Sequence, residues 1–345
     1  MTSCLGGRLA DACPAATYND SRTLAADTYS IRTQAPPAAS LVMPRFEKWL
    51  TKIGPDAPVA RAARTALTTR LAAVSHYLKR AGKKSGDADD EAEAVHQLRI
   101  WTRRATAAIQ LFAEILPRRS TRWMKRTLKA TRRTAGEVRD CDLLIKRLEK
   151  GDLKGCEFIA QDLHKRRKQA EQRLAKTYKK LVGRSKLKRR TDKLLRKVAD
   201  DKVTMPFGAW CRRALAPLAD GFLTTANASL SSDARLHELR IAGKRLRYAL
   251  ELAPAALPTA VHRELYDELS DLQDRLGFVC DQIVALGQLS EWRREARCSS
   301  DQTTLRAARE KQDRQLAAAK KKFFHWWTSK RRAALATRWR KALHR

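Results

Sequence analysis

His96-Gln-Leu-Arg99-Ile-Trp-Thr-Arg103-Arg104 returns, little changed, as His237-Glu-Leu-Arg240-Ile-Ala-Gly-Lys244-Arg245. The two copies are displaced by 141 residues (96 to 237). The same displacement carries Leu116-Pro117 onto Leu257-Pro258, and Leu128 onto Leu269. It also carries Gly136-Glu-Val-Arg-Asp140 onto Gly277-Phe-Val-Cys-Asp281. One register held without a gap from residue 96 to residue 140 marks an internal repeat, and a repeat decides the fold before any single element does.

Both copies of the motif are helical. Around them, from about Val59 onward, apolar residues recur three and four apart, the period of an α-helix packed on one side. Breaks are expected at Gly82–Asp90, Pro117, Gly151–Gly155, Lys202–Gly208, Ser231–Asp233, Pro254–Pro258 and Gly287–Ser290. No alternating β-branched runs between turn signals occur. The expected fold is all-α: two four-helix bundles, residues 59–200 and 201–345, related by a pseudo-twofold.

Composition agrees. Gly and Pro are few, at 14 and 11, and 43% of residues are hydrophobic, enough for a core. Lys and Arg number 72 against 37 Asp and Glu, a net charge of +35. Such a surplus repels itself unless an anion offsets it, so nucleic acid, anionic membrane or another polyanion is indicated and a small neutral substrate is not. The seven cysteines form no C-x-x-C and suggest neither a disulfide framework nor a zinc site; a reducing, cytoplasmic setting follows. No apolar run reaches membrane-span length and no secretory signal is visible.

Residues 1–42 differ. Arg8, Arg22 and Arg32 balance Asp11, Asp20 and Asp27, so all of the +35 lies in 43–345. The segment is rich in Ala, Thr, Ser and Pro and reads as a disordered tail. Met43 is an alternative start, a reading that an intact mass containing residues 1–42 would refute.

The repeated helix presents two faces. With His96 at zero and about 100° per residue, Arg99 and Arg103 fall at about 300° and 340°. Leu98, Ala105, Ile109 and Phe112 fall on the opposite side, and Arg104 sits off to one flank. His237, Arg240 and Lys244 repeat the polar stripe, Arg247 extends it, Arg245 matches Arg104, and Leu239, Leu246 and Leu250 repeat the apolar stripe. The plain alternative is that any surface helix has a charged, solvated back. Two features weigh against it. Both stripes carry His, and both are basic with almost no acid, although like charges four apart repel. Such a stripe fits phosphate oxygens, which Arg grips with short, charge-assisted bonds. A bound phosphate chain would also favour protonated histidine, whose ordinary pKa is about 6.5.

At these residues the chain resembles the CHAD family, the conserved histidine α-helical domain. The duplicated His-x-x-Arg-x-x-x-Arg/Lys-Arg helix and the Gly136-x-Val-Arg139-Asp140-x-Asp142 segment carry the resemblance, over about residues 59–345 read as one domain. It implies two four-helix bundles around a basic channel, binding of inorganic polyphosphate, and association with polyphosphate granules. Carried over by position, the implied contacts are His96, Arg99, Arg103 and Arg104 in the first helix; His237, Arg240, Lys244, Arg245 and Arg247 in the second; and Arg139. Asp140 and Asp142 would orient basic side chains. Cys280 stands where the first copy has Arg139, which puts a basic contact there in doubt. Many relatives carry a fused triphosphate-processing domain with Glu-x-Glu-x-Lys; Glu91-Ala-Glu93-Ala-Val95 lacks the Lys and opens a bundle helix.

Additional basic lining is expected from Arg132, Arg133, Lys165, Arg166, Lys179 and its register partner Lys320. Residues 165–197 hold sixteen Lys and Arg against Glu171 and Asp192. Near the C-terminus Phe323, Phe324, Trp326 and Trp327 sit among basic residues, either as a base-stacking surface or, more commonly, as the packed side of a terminal helix. Three functions compete. The first is non-catalytic polyphosphate binding, with no cofactor or metal. The second is weak, sequence-nonspecific nucleic-acid binding through phosphates, since no recognition motif appears. The third is a polyphosphate-processing enzyme, for which neither a phosphate-cradling loop nor a convincing carboxylate cluster is present.

Overall fold

Prolines and capping residues set the element boundaries. The computed structural model describes residues 46–83, 86–149, 153, 156–198 and 203–343. The expected tail, 1–42, lies outside them. Ten α-helices follow in order: α1 (Val59–Gly82), α2 (Ala88–Leu111), α3 (Arg118–Arg147), α4 (Glu157–Tyr178), α5 (Lys186–Arg196), α6 (Phe207–Asn227), α7 (Asp233–Leu250), α8 (Thr259–Glu295), α9 (Ser299–Trp326) and α10 (Ser329–Leu343). Among the described residues there is no strand, only an isolated bridge between Pro58 and Pro206.

Pro117 and Pro258 immediately precede α3 and α8, ending the short 3-10 turns before them, and the proline carbonyls accept the first helical N–H bonds, from Thr121 and His262. Asp87 caps α2 by accepting from the N–H groups of Asp89 and Asp90, so the acidic run at 87–93 belongs to a helix start. Ser232 caps α7 through the Arg235 N–H. The expected break at Gly287–Ser290 does not occur: α8 continues to Glu295. Glycine in a helix costs only about 1 kcal/mol, and burial of Ala285, Leu289 and Trp292 on this stretch offsets it.

Each signature helix lies between its chain neighbours, α2 between α1 and α3, and α7 between α6 and α8; α1 also packs on α4. The short α5 lies on α1, and α10 lies on α6 and α8. The bulk of the core is one continuous apolar cluster running through both sets of helices. A second, smaller cluster joins the far ends of α3 and α8 to the starts of α4 and α9, around Ile159, Leu163, Leu289, Trp292 and Leu305. Residues 46–58 cross the seam. The Leu50 N–H donates to the Glu251 carbonyl at 3.1 Å, and the Phe207 and Gly208 N–H groups donate to the Ala57 and Pro55 carbonyls. Phe323 and Trp327 are fully buried, so the aromatic cluster is mainly core; Trp326 is held between Arg275 and Arg331.

Candidate functional site

The apolar stripes set the rotation of the two signature helices. Leu98, Ala105, Ile109 and Phe112 on α2, and Leu239, Leu246 and Leu250 on α7, are all fully buried. α2 also packs directly against α7. The basic stripes of the two copies therefore meet. Arg103 lies within electrostatic reach of Arg99, Arg132 and Arg240. Lys244 lies among Arg240, Arg103 and Arg247. Arg139 stands beside His96, with Arg99 and Arg103 close by.

One contact is built twice. Arg99 Nη1 donates to Asp140 Oδ1 at 3.0 Å and to the Gly136 carbonyl at 3.5 Å. In the second copy Arg240 Nη2 stands 3.8 Å from Asp281 Oδ1. The glycines explain the close approach. A Cβ on Gly136 would come within 3.9 Å of Arg99 Cζ, and one on Gly277 within 3.6 Å of Arg240 Nη2. Each guanidinium rests against bare helix backbone and is steadied by the aspartate one turn on. Asp142 does the same for Arg167, accepting from its Nε at 2.7 Å.

The cluster holds more positive charge than it neutralises. Burial, then Arg240, Arg103 and Arg247, pull the Lys244 ammonium down to about 7, with Asp281 opposing. Burial and the neighbouring Arg139, Arg99 and Arg103 hold His96 below the usual imidazole range, against the pull of Glu93. Arg103 and Arg132 are lowered as well, by burial first and by like charge after it. In each case the charged form is disfavoured for want of a counter-ion. An anion placed among these groups reverses the sign of that interaction.

Not every expected residue joins. Arg104 turns into the seam, where Nε donates to Glu251 Oε2 at 2.7 Å and Nη2 to Oε1 at 3.3 Å, and its guanidinium covers Trp101. Arg247 donates to the Tyr266 hydroxyl at 2.9 Å, and that hydroxyl donates to Glu251 at 3.3 Å. Glu251 is wholly buried, and the buried Arg70, which donates to the Lys48 carbonyl, is within its field. Arg104 and Arg247 thus fasten the seam between the two signature helices, and Arg247 alone also borders the cluster. His237 and Arg245 are exposed. Lys320 pairs with Asp233 at 2.6 Å, and Arg166 with Asp162 at 2.6 Å. Arg133, Lys165 and Lys179 are exposed on the outer surface. Cys280 is buried, so the second copy offers no cation at that register position.

Sequence reasoning missed Arg147, which shares the field of Asp281 with Arg240, Lys244 and Arg99. Its signal was present: Arg132, Arg139 and Arg147 fall seven and eight apart, on one face of α3. Glu251 carried no such signal, because its partners lie far away in the chain. Among the described residues no group of three His, Cys, Asp or Glu is placed to hold a metal ion, and no helix is long and apolar enough to cross a membrane.

Known proteins show the same backbone. The crystal structure of the CHAD domain from the plant Ricinus communis superposes with a TM-score of 0.66 at 20% identity, covering 88% of this chain and 97% of that one. PptA from Streptomyces chartreusis superposes with a TM-score of 0.55 at 16% identity, covering 79% of this chain and 99% of that one. No curated protein matches. The family model described as the CHAD domain matches residues 71–290, a span holding both signature helices and the glycine-backed arginines behind them. The chain therefore belongs to the CHAD family.

Proposed function

We propose that this protein binds inorganic polyphosphate, without turning it over, in the basic cluster between α2–α3 and α7–α8. One observation carries the reading: Arg99, Arg103, Arg132, Arg240, Lys244 and His96, from both copies of the repeat, share one field in which the nearby carboxylates, Asp140 and Asp281, each face an arginine. Polyphosphate carries about one charge per phosphate on a flexible chain, so several of these cations engage one molecule, and the release of condensed counter-ions drives binding as it does for nucleic acids. Within this reading, residues 59–200 and 201–345 are the two halves of one domain, and the protein sits on polyphosphate granules in the cytoplasm.

The test is a competition at near-physiological salt between long-chain polyphosphate and duplex DNA. Polyphosphate is expected to displace DNA at far lower phosphate concentration than the reverse, with a steep salt dependence. Equal displacement, or a flat salt slope, turns the reading toward a general phosphate-backbone binder or away from this cluster. Orthophosphate release over time with Mg²⁺ or Mn²⁺ would overturn the non-catalytic part.

A further inference from the structure

A cleft of about 460 Å³ opens between the end of α3 and the faces of α8 and α9. Its size falls in the range of small-molecule sites. Its walls are largely apolar, with Leu144 and Leu289 lining it and Phe278, 40% exposed, beside them. Its polar groups form a ladder. Arg147 Nη2 donates to Gln312 Oε1 at 2.8 Å, and Gln312 Nε2 donates to Gln282 Oε1 at 2.6 Å. Gln282 and Gln312 are themselves buried, and Gln315 adds a third amide in the lining. Trp292 also lines the cleft; it is only 3% exposed, and its indole N–H has no acceptor among the described residues. A buried donor left unpaired is costly and calls for a ligand or water to accept from it.

The cleft adjoins the basic cluster. Arg147 both lines it and shares the field of Asp281 with Arg240 and Lys244. Lys322 contributes a further cation to the lining. The combination is an aromatic face, fixed amides and an unmet N–H donor beside a phosphate-seeking cluster. An acyl chain would leave the amides and the indole N–H unanswered, whereas a planar heterocycle offers ring acceptors to them and a face to Phe278.

We propose that this cleft receives the base of a nucleoside polyphosphate, whose phosphates run past Arg147 into the basic cluster. The inference rests on the reading of that cluster as a phosphate site. It makes the protein a binder of nucleotides as well as of inorganic chains.

The experiment compares ATP with inorganic triphosphate by isothermal titration calorimetry on the whole protein, with long-chain polyphosphate as a third probe. ATP carries less charge than inorganic triphosphate for the same number of phosphates, so tighter binding of ATP must come from its nucleoside. At least a tenfold preference for ATP is expected. Phe278→Ala and Ala318→Trp, two exposed positions in the cleft lining, are expected to erase that preference and leave triphosphate and polyphosphate affinity unchanged. Equal affinity for ATP and triphosphate overturns the proposal while leaving polyphosphate binding intact. So does an ATP preference that survives both substitutions. If none of the three probes binds, the reading of the cluster falls as well.

Discussion

Raising the pH should weaken polyphosphate binding through Lys244. In the free protein this ammonium is pulled from an ordinary 10.5 to about 7 by burial and by Arg240, Arg103 and Arg247. A phosphate chain in the cluster supplies the missing counter-charge and lifts the value again. The sign follows from linkage. Below pH 7 Lys244 is charged in both states, and its titration adds nothing to the pH dependence. Above pH 7 the free protein holds it neutral, so binding must take up a proton, and affinity falls by up to tenfold per pH unit until the bound-state value is passed. From pH 7 to 8.5 the limit is roughly a thirty-fold loss. Its exposure to solvent makes the limit an upper one. The assay is calorimetry in buffers of different ionisation heat, which counts the protons directly. About one proton per site is expected near pH 8, and none in Lys244→Met. Lys244→Arg, charged throughout, should bind with a flat profile in this range. A flat profile in the unaltered protein, with no buffer-dependent heat, would refute the argument.

Other outcomes follow. His96 is held below the ordinary imidazole range, so binding should take up a further proton, and affinity should rise, as pH falls through that range; His96→Gln should remove the acid limb of the profile. Arg99→Glu with Arg240→Glu places two anions in the cluster; polyphosphate affinity should drop at least a hundred-fold with far-ultraviolet circular dichroism unchanged, and unaltered affinity would remove both residues from the site. Glu251→Gln leaves Arg104 and Arg247 without their buried counter-charge, at a cost of about 3–5 kcal/mol, read as a clear fall in Tm or denaturant midpoint. Gly82→Ala would drive a Cβ to 2.3 Å from Tyr178 Cβ, forcing α1 and α4 apart; about 1–3 kcal/mol of stability should be lost, with polyphosphate affinity spared.

Much of the fold was legible because the repeat supplied two independent readings of each helix. Pro117 and Pro258 mark the same boundary, and Val59 begins α1 as the periodicity requires. The error at Gly287–Ser290 has a local cause: glycine signals a break, but apolar residues three and four apart around it bury a continuing helix face. The site was legible to the extent that one helix decides it. Arg99, Arg103, Arg240 and Lys244 lie on the stripe that the Leu98 and Leu239 faces dictate. Arg104 and Arg247 were not separable from them, because their partner Glu251 follows the second signature helix. Helical phase gives the direction in which a side chain leaves its own axis. It says nothing of what waits there.

The glycine-backed arginines have one further consequence. Arg99 and Arg240 are anchored by Asp140 and Asp281 before any ligand arrives, so the distance between them is a property of the protein. Two immobile grips act as a ruler. A linear anion too short to span them is held by one end only, while a chain long enough to reach both gains the second contact at high effective concentration. Affinity should then climb abruptly at one threshold number of phosphates and level off beyond it, and that threshold would report the spacing of the grips.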